Sequence, residues 1–325
     1  MSLPVDDLPV DAVVIGRNEG ARLVACLASL QGRVRRVVYV DSGSTDDSVA
    51  AAERAGAEVV ALDMARPFTA ARARNAGLER LEGDGLVQFI DGDCVLDPGW
   101  IETARAHLAA HPRVAVVCGR RREVAPEASI YNRLCDREWD TPIGEARACG
   151  GDALMRLGAV RAVGGFAPSL IAGEEPELCL RLRAAGWRIW RLDAEMTRHD
   201  AAMTRFPQWW ARSRRAGHAF AEGAALHGRG PHQHWVAETR RALTWGAGLP
   251  LVVVLLALAW DAAALWLLLV YPAQVARLAL RAGGGRGAWE WAFFSVPGKF
   301  AEASGALGYY IGRITGRKRG LIEYK

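Results

Sequence analysis

Two carboxylates separated by one glycine stand in the stretch LVQFIDGDCVLDPGW, residues 86–100. The apolar run at 86–90 predicts a buried strand that leads directly into Asp91 and Asp93. Hard cations bind oxygen ligands, and Mg²⁺ commonly uses one or two carboxylates together with substrate phosphates. At the carboxyl end of a strand these residues would suit a divalent cation and a phosphate. An Asp-Gly-Asp triplet is also ordinary turn chemistry, so the surrounding elements must decide between the two.

Strand and helix patterns alternate ahead of this triplet. Apolar runs predict strands at 10–15, 34–40, 58–62 and 86–90, and helical spacing predicts helices at 21–30, 49–55 and 68–81. The alternation predicts an α/β fold with a Rossmann-like, mostly parallel sheet flanked by helices. The first strand leads into GRNEG rather than GxGxxG, and GxxxxGK[ST] does not occur. These patterns argue against a dinucleotide-binding protein and against a P-loop ATPase.

Six motifs follow one another in order across residues 10–200. They are VVIGRNEGARLVACLASL, VVYVDSGSTDDSV, ARARNAGL, VQFIDGDCVLDPGW, CGGDALMRLGAVRAVGGF and GEEPELCLRLRAAGW. In spacing and order they resemble family 2 glycosyltransferases of the GT-A fold. The resemblance implies a nucleotide-diphosphate-sugar donor, with a UDP-sugar expected, Mg²⁺ or Mn²⁺ as cofactor, and inversion at the anomeric carbon. A metal held by Asp91 and Asp93 would neutralise the leaving diphosphate.

The same resemblance supplies donor-binding candidates. Asp41 follows the second predicted strand and matches the family's nucleoside-contacting acid, although a plain Asx-turn would look the same. Asp91 could contact ribose, or hold the metal through water while Asp93 is the direct ligand. Arg74 is preferred to Arg72 as a contact to uracil or phosphate. Asp152, in CGGD, is a candidate for hydrogen bonds to sugar hydroxyls, with a strand-edge turn as the alternative.

The acceptor hydroxyl needs a base, and a pair of acids precedes the last predicted helix of this region. Glu174 and Glu175 match the family's acidic pair, and Glu175 is the predicted catalytic base. The family usually carries Asp at that position, so Glu174 stays open as the base. Pro176 and the acids also suit an ordinary helix start. His199 falls where related enzymes often have a third metal ligand or a diphosphate contact.

A strongly apolar segment at 242–276 contains one charge, Asp261. A single span would place this acid near the bilayer centre, at a cost of about 2.5–3.5 kcal/mol. A hairpin turning at Trp260-Asp261 instead keeps the flanking arginines on one side of the membrane, in line with the positive-inside tendency. The hairpin is preferred, and a buried pair of soluble helices is the third possibility. Residues 288–313 are amphipathic and precede Arg317-Lys318-Arg319, which predicts an interfacial helix with a polybasic end.

These observations predict three regions. They are a GT-A catalytic domain at 1–204, basic Trp/Arg-rich connecting helices at 205–241, and a membrane-associated hairpin with an amphipathic tail at 242–325. The acidic N-terminal stretch lacks an apolar h-region, so no secretory signal is expected. A hairpin that keeps its flanking arginines on the cytoplasmic side predicts an inner-membrane enzyme whose catalytic domain faces the cytoplasm.

The predicted partners are a nucleotide-sugar donor, a saccharide or lipid-linked acceptor in cell-surface or exopolysaccharide synthesis, and membrane lipids. No nucleic-acid motif accompanies the basic segments, so nucleic acid is not expected. A sugar nucleotidyltransferase and a non-catalytic membrane-bound scaffold of the same fold are the alternatives. The nucleotidyltransferase would need a Gly-rich, Arg-containing N-terminal loop, which GRNEG does not supply.

Overall fold

The computed structural model describes residues 8–316, which form two compact units. The first unit comprises residues 8–126 and 135–201, and the second comprises residues 127–134 and 202–316. The short segment 127–134 therefore groups with the C-terminal part of the chain. The predicted three-region division stays a prediction.

A mixed nine-stranded sheet forms the centre of the first unit. Its strands are β1 (Val10–Gly16), β2 (Arg36–Asp41), β3 (Glu58–Ala61), β4 (Leu86–Asp91), β5 (Cys94–Leu96), β6 (Val114–Glu123), β7 (Gly144–Ala146), β8 (Ala153–Arg156) and β9 (Arg188–His199). The strand order is β3-β2-β1-β4-β8-β6-β9-β5, and β7 pairs with β9. The β3-β2-β1-β4 block is parallel, as is β6 with β9, whereas β8 is antiparallel to both of its neighbours. The predicted α/β fold with a mostly parallel sheet is confirmed.

Helices accompany this sheet. They are α1 (Ala21–Leu30), α2 (Ser48–Arg54), α3 (Ala70–Leu78), α4 (Trp100–Ala110), α5 (Ile130–Trp139), α6 (Leu157–Ala162) and α7 (Glu174–Ala184). Of α5, residues 135–139 belong to this unit and residues 130–134 to the second. Helix α3 begins at Ala70 rather than at the predicted residue 68 because the Thr69 side chain caps it, accepting the Arg72 N–H at 3.1 Å, and it ends at Leu78. Gly77 lets α3 lie close to β1, since a Cβ there would be 2.4 Å from Val13 Cγ1.

Helices make up the second unit. They are α8 (Phe206–His227), α9 (Val236–Leu243), a π-helical turn (Thr244–Gly248), α10 (Leu249–Ala259), a 3₁₀ segment (Ala262–Leu269), α11 (Val270–Arg281), α12 (Arg286–Ser295) and α13 (Gly298–Thr315). Two continuous stretches, Val236–Ala259 and Ala262–Arg281, are long and apolar enough to cross a membrane. They separate at the predicted turn, where Asp261 accepts the Ala263 N–H at 2.7 Å and caps the second stretch.

The amphipathic segment expected at 288–313 is two helices rather than one, because Pro297 occupies the N-cap of α13. Helix α13 packs closely against α8 through glycines. A Cβ at Gly305 would lie 1.9 Å from the Arg214 carbonyl oxygen, and one at Gly217 would lie 1.9 Å from that of Glu302. Helix α13 is therefore an integral part of the helical unit. The predicted polybasic end at 317–319 lies outside the described residues.

Candidate active site

Four predicted site residues lie at or just beyond strand ends on one edge of the sheet. Asp41 and Asp91 are the last residues of the parallel strands β2 and β4. His199 is the last residue of β9, which the pairings through β8 and β6 orient in the same direction as β4. Asp93 follows β4 after Gly92, whose N–H donates to the Ile15 carbonyl at 2.8 Å. This is the edge at which open α/β sheets bind ligands.

Arg74 lies among the acids of two different elements. Its Nη2 is 2.9 Å from Asp91 Oδ1 on β4. Its Nη1 is 2.8 Å from Glu174 Oε1 and 2.9 Å from Glu175 Oε1 at the start of α7. The side chain is only 3% exposed, so Arg74 is tied to these acids rather than presented at the surface to a nucleotide.

Glu175 carries the most perturbed carboxyl of this cluster. Burial, followed by repulsion from Glu174, raises its pKa to about 7, against an opposing pull from Arg74. The side chain stays 13% exposed, whereas that of Glu174 is 5% exposed. A carboxyl with a pKa near neutrality and some access to solvent is suited to accept a proton from a substrate hydroxyl.

Asp93 and His199 form a second pair, with 3.2 Å between Asp93 Oδ2 and His199 Nε2. Both are buried, and the Trp139 ring lies edge-on to the imidazole with ring centroids 4.8 Å apart. The Cys94 Sγ lies nearby, 3.7 Å from Asp93 Oδ1. Burial raises the pKa of the Cys94 thiol well above its ordinary value. Because the thiolate is the metal-binding form, Cys94 is a poor ligand here.

Asp152 supports the end of β4 from within the protein. Its Oδ1 accepts the Asp91 N–H at 3.2 Å, and its Oδ2 accepts from Thr197 Oγ1 at 2.7 Å and from Arg121 Nε at 2.9 Å. The side chain is fully buried. Both oxygens already have protein donors, which favours a role in fixing Asp91 over the predicted bond to a sugar hydroxyl.

Asp41 sits in a tight turn after β2. Its Oδ2 accepts the N–H groups of Gly43 and Ser44 at 3.0 and 2.9 Å, and its Oδ1 accepts the Tyr39 hydroxyl at 3.0 Å. The Asx-turn alternative therefore describes its local geometry. A carboxylate oxygen has more than one acceptor position, so Oδ1 can still accept a nucleoside N–H or hydroxyl.

The acids of this cluster suit a divalent cation. They include Asp91, Asp93 and Asp152, together with Glu174 and Glu175 at the start of α7. Carboxylate oxygens are the ligands that Mg²⁺ and Mn²⁺ prefer. Neighbouring ligands of an octahedral ion at 2.0–2.1 Å lie about 3 Å apart, close to the 3.2 Å between Asp93 Oδ2 and His199 Nε2. Within residues 8–316 the His199 Nδ1 has no hydrogen-bond partner.

The structure separates the two acids of the DGD triplet. The Asp93 carboxylate groups with Cys94 and His199, whereas the Asp91 carboxylate groups with Cys94 and Asp152. Asp91 also lies between Arg74 and Arg121, whose Nη2 is 3.6 Å from Asp91 Oδ2. The arrangement favours Asp93 and His199 as the direct metal ligands, with Asp91 balanced by arginines.

Sequence reasoning missed two residues of this cluster, Arg121 and Trp139. The Arg121 guanidinium lies over the Trp139 ring, 5.5 Å from its centroid, and bonds to Asp152. The sequence held one signal for Arg121, because the charged run RRRE continues the apolar strand VAVVCG. That run could be connected with the site only by knowing that β6 pairs with β8, the strand that follows Asp152.

Comparisons with known sequences agree with the fold. A family model described as glycosyl transferase family 2 matches residues 11–153. A pre-mycofactocin glycosyltransferase of Mycobacterium tuberculosis is 30% identical over 234 residues, which are 67% of this chain and 48% of that protein. An uncharacterized glycosyltransferase of Mycobacterium bovis is 32% identical over 188 residues, 54% of this chain and 79% of that protein. The chain thus spans about half the length of the first of these relatives.

Among solved structures, the mannosyltransferase PcManGT from Pyrobaculum calidifontis, in complex with GDP-Man and Mn²⁺, superposes with a TM-score of 0.65. The match covers 94% of this chain and 89% of that chain at 22% sequence identity, and it shows a shared fold. The family match and the Mycobacterium bovis relative, 79% of which is covered at 32% identity, show the family. The chain belongs to the family 2 glycosyltransferases of the GT-A fold.

Proposed function

We propose that the first unit catalyses metal-dependent, inverting transfer of a sugar from a nucleoside-diphosphate donor to a hydroxyl acceptor. One observation carries the proposal. A continuous chain of ionic contacts, each 2.9 Å long, connects Asp91 through Arg74 to Glu175. It brings the predicted donor-side acid and the predicted base, far apart in sequence, into one cluster at the ligand-binding edge of the sheet.

Glu175 serves as the base. As the acceptor oxygen forms its bond to the anomeric carbon, the hydroxyl proton moves to a Glu175 carboxylate oxygen. The bond from the anomeric carbon to the diphosphate breaks, and its electron pair leaves with the nucleoside diphosphate. Attack from the face opposite the leaving group inverts the anomeric carbon. A base with a pKa of about 7 is half ionised at neutral pH, whereas Glu174 accepts a hydrogen bond from Arg74 and is more deeply buried.

Asp93 and His199 would hold Mg²⁺ or Mn²⁺. When bound, the ion would neutralise the charge that develops on the leaving diphosphate. Asp93 supplies the hard oxygen ligand that both ions prefer, and the His199 nitrogen suits Mn²⁺ better than Mg²⁺. Asp91, balanced by Arg74 and Arg121, is left to contact ribose or a metal-bound water.

The donor we propose is a UDP-sugar, with Asp41 accepting from the nucleoside at the end of β2. GDP-mannose, the ligand of the archaeal mannosyltransferase, is the competing donor. Thermal shift with UDP-sugars and with GDP-mannose, each with and without Mn²⁺, separates them, since a bound ligand stabilises the folded protein by mass action. Stabilisation by GDP-mannose alone would overturn the UDP assignment.

The second unit would hold the enzyme at the inner membrane. Its two apolar stretches have mean hydropathies of 2.1 and 1.6, and only 11% and 6% of each is buried within the protein. At 1.5 Å per residue, 24 and 20 residues are long enough for a hydrocarbon core of about 30 Å. A lipid-linked saccharide in cell-surface or exopolysaccharide synthesis is therefore the proposed acceptor, with the catalytic unit on the cytoplasmic side.

The chemistry is tested by donor turnover with the purified full-length chain. The wild-type protein should release nucleoside diphosphate from its donor only with Mg²⁺ or Mn²⁺ present. Asp93→Asn should reduce this rate about 10²–10³-fold, the scale expected when a transition-state charge loses its stabilisation. Asp97→Asn is the matched control, because the Asp97 side chain accepts the Gly99 N–H at 3.0 Å in a nearby turn. Metal-independent turnover, or equal losses in the two variants, would overturn the proposal.

The same assay addresses the acceptor. Extracted lipid-linked saccharides and soluble oligosaccharides are supplied in parallel with a donor that the enzyme uses. Product on the lipid-linked acceptor supports the membrane assignment. Transfer to soluble acceptors alone would contradict it.

A further inference from the structure

We propose that Arg74 is a positioning residue that fixes the Glu175 carboxylate relative to Asp91, and so couples the donor side of the site to the base. The inference rests on the proposed function, and it assigns Arg74 a role different from the predicted contact to uracil or phosphate. Its basis is that one guanidinium group binds acids from two separate elements of the sheet unit.

The geometry of Arg74 matches such a coupling. Its side chain projects from α3, Nη2 donates to Asp91 on β4, and Nη1 donates to Glu174 and lies 2.9 Å from Glu175 Oε1 on α7. A guanidinium group is planar and offers donors in fixed directions, so it can hold several carboxylates in a defined arrangement. The ammonium group of lysine is a compact point charge on a flexible stem and could not reproduce that arrangement.

The surroundings of Arg74 hold it in this position. The Phe166 ring lies 5.7 Å from the guanidinium carbon. Phe166 is itself tied to α3, since its N–H and its carbonyl bond to the Asn75 side chain at 2.9 and 2.7 Å. A Cβ at Gly151 would lie 2.7 Å from Arg74 Nη2 and 2.8 Å from an Asp91 carboxylate oxygen, so a larger residue there would displace the ends of these two side chains.

The charges around Glu175 show what Arg74 contributes beyond shape. Glu174 on the same helix and Asp91 on β4 both disfavour ionisation of Glu175, and burial does so most strongly. Arg74 opposes these effects. Without Arg74, the three neighbouring carboxylates would have no shared counter-charge. Removing one partner of a buried ion pair is strongly destabilising, because the other charge is left buried and unpaired.

Arg72 provides a matched control. It lies on the same helix, two residues away, and its guanidinium donates to the backbone carbonyls of Asp63, Arg66 and Pro67. It makes no contact with the site acids within the described part of the chain. Arg72→Gln therefore removes an arginine from α3 without touching the proposed coupling.

The experiment compares Arg74→Gln, Arg74→Lys and Arg72→Gln in metal-dependent donor turnover across pH, with circular dichroism to confirm folding. Arg74→Gln should lower kcat about 10²-fold at pH 7 and leave the donor KM within about threefold. It should also shift the acidic limb of the kcat–pH profile upward by about 1–2 pH units, because the cation that favours the ionised form of Glu175 is gone. Arg74→Lys should keep the limb near its wild-type position but lose about tenfold in kcat. Arg72→Gln should match the wild type.

Two results would overturn the proposal. A raised donor KM at unchanged kcat in Arg74→Gln would make Arg74 a donor ligand. A lower kcat with an unmoved acidic limb would make it a purely structural residue. If Arg74→Gln does not fold, Gly151→Ala replaces it, since the added Cβ pushes Nη2 away from Asp91 and keeps the charge. This variant should lower kcat and leave the acidic limb of the kcat–pH profile in place. An unchanged kcat would contradict the coupling.

A readout without turnover keeps this inference separate from the proposed function. Carbon-13 labelling of glutamate carboxyls, with Glu175→Gln for assignment, gives the titration midpoint of Glu175 directly. The midpoint should rise in Arg74→Gln and stay in place in Arg72→Gln, even if the wild-type enzyme uses none of the donors offered. In that case the proposed function fails and the coupling still stands. An unmoved midpoint in Arg74→Gln refutes the coupling.

Discussion

The two units of this chain differ in which side chains they bury and which they expose. The sheet unit buries Asp41, Arg74 and Asp93 at 5%, 3% and 7% exposure. In the helical unit Trp260 and Trp266 are exposed at 87% and 73%. Buried charges are unfavourable unless they are paired or bind a partner, and a large exposed apolar surface marks an interaction site. The difference supports the proposed division, in which the first unit carries the chemistry and the second contacts the membrane.

The largest expected effect belongs to the base. Glu175→Gln should lower kcat about 10³-fold, because the amide cannot take the acceptor proton. The affinity for donor, measured calorimetrically with Mn²⁺ present, should change little. Glu174→Gln is the comparison and should lower kcat less. A greater loss in Glu174→Gln would transfer the role of base to Glu174.

Placing a charge on the exposed apolar surface of the helical unit should have the next largest effect, which is measured as retention in membranes. Leu251→Arg introduces a charge into the first apolar stretch, where insertion scales place the cost at about 2.5–3.5 kcal/mol, or roughly 10²-fold in membrane partitioning. Ile143→Arg in the sheet unit is the control, since Leu251 and Ile143 are both 59% exposed. Carbonate extraction of membranes should release Leu251→Arg and retain Ile143→Arg. Equal behaviour of the two variants would argue against a lipid-facing hairpin.

The pH dependence of the sheet unit gives a smaller effect of defined sign. The pKa of Glu175 is raised to about 7 from its ordinary 4.5, so kcat should fall about tenfold for each pH unit below about 7 as the base is protonated. The same group should stabilise the folded state below about pH 4.5 and lose that contribution as the pH rises through about 7. Chemical unfolding of wild type and Glu175→Gln across this range measures the difference. A kcat that stays constant down to pH 5 would contradict the assignment.

The smallest effect concerns helix packing in the second unit. Gly305→Ala places a methyl group 1.9 Å from the Arg214 carbonyl oxygen and should lower the melting temperature through an overpacking cost of about 1–3 kcal/mol. Gly248→Ala is the control, because its nearest neighbour would lie 3.5 Å away. Donor turnover by the sheet unit should be nearly unaffected in both. Equal melting temperatures would show that the α8–α13 contact can relax.

The sequence allowed prediction of the sheet and of the edge where the acids meet. Alternating strand and helix patterns place strand ends together, so Asp41 and Asp91 were expected at one edge. The break between the two apolar stretches is predictable as well, because Asp261 interrupts an otherwise uncharged run. In both cases the signal is local in the chain.

Contacts between distant side chains could not be predicted in the same way. The partners of Arg74 lie 17 and 100 residues away, and only the tertiary fold brings them together. The separation of Asp91 from Asp93 also depends on Arg121 and Asp152, which belong to neighbouring strands and loops. Helix α13 appeared amphipathic in sequence, but its small residues fit against α8, which no periodicity specifies.

We propose that Asp93 and His199 hold the metal beside the Asp91–Arg74–Glu175 chain. Pulsed electron paramagnetic resonance of Mn²⁺ bound to the full-length protein with UDP tests it directly, because a coordinated imidazole gives a nitrogen coupling to the ion. We predict a nitrogen coupling in the wild type that disappears in His199→Ala, and loss of Mn²⁺ binding in Asp93→Asn but not in Asp97→Asn. Mn²⁺ bound without that coupling, or a coupling that persists in His199→Ala, would contradict the account.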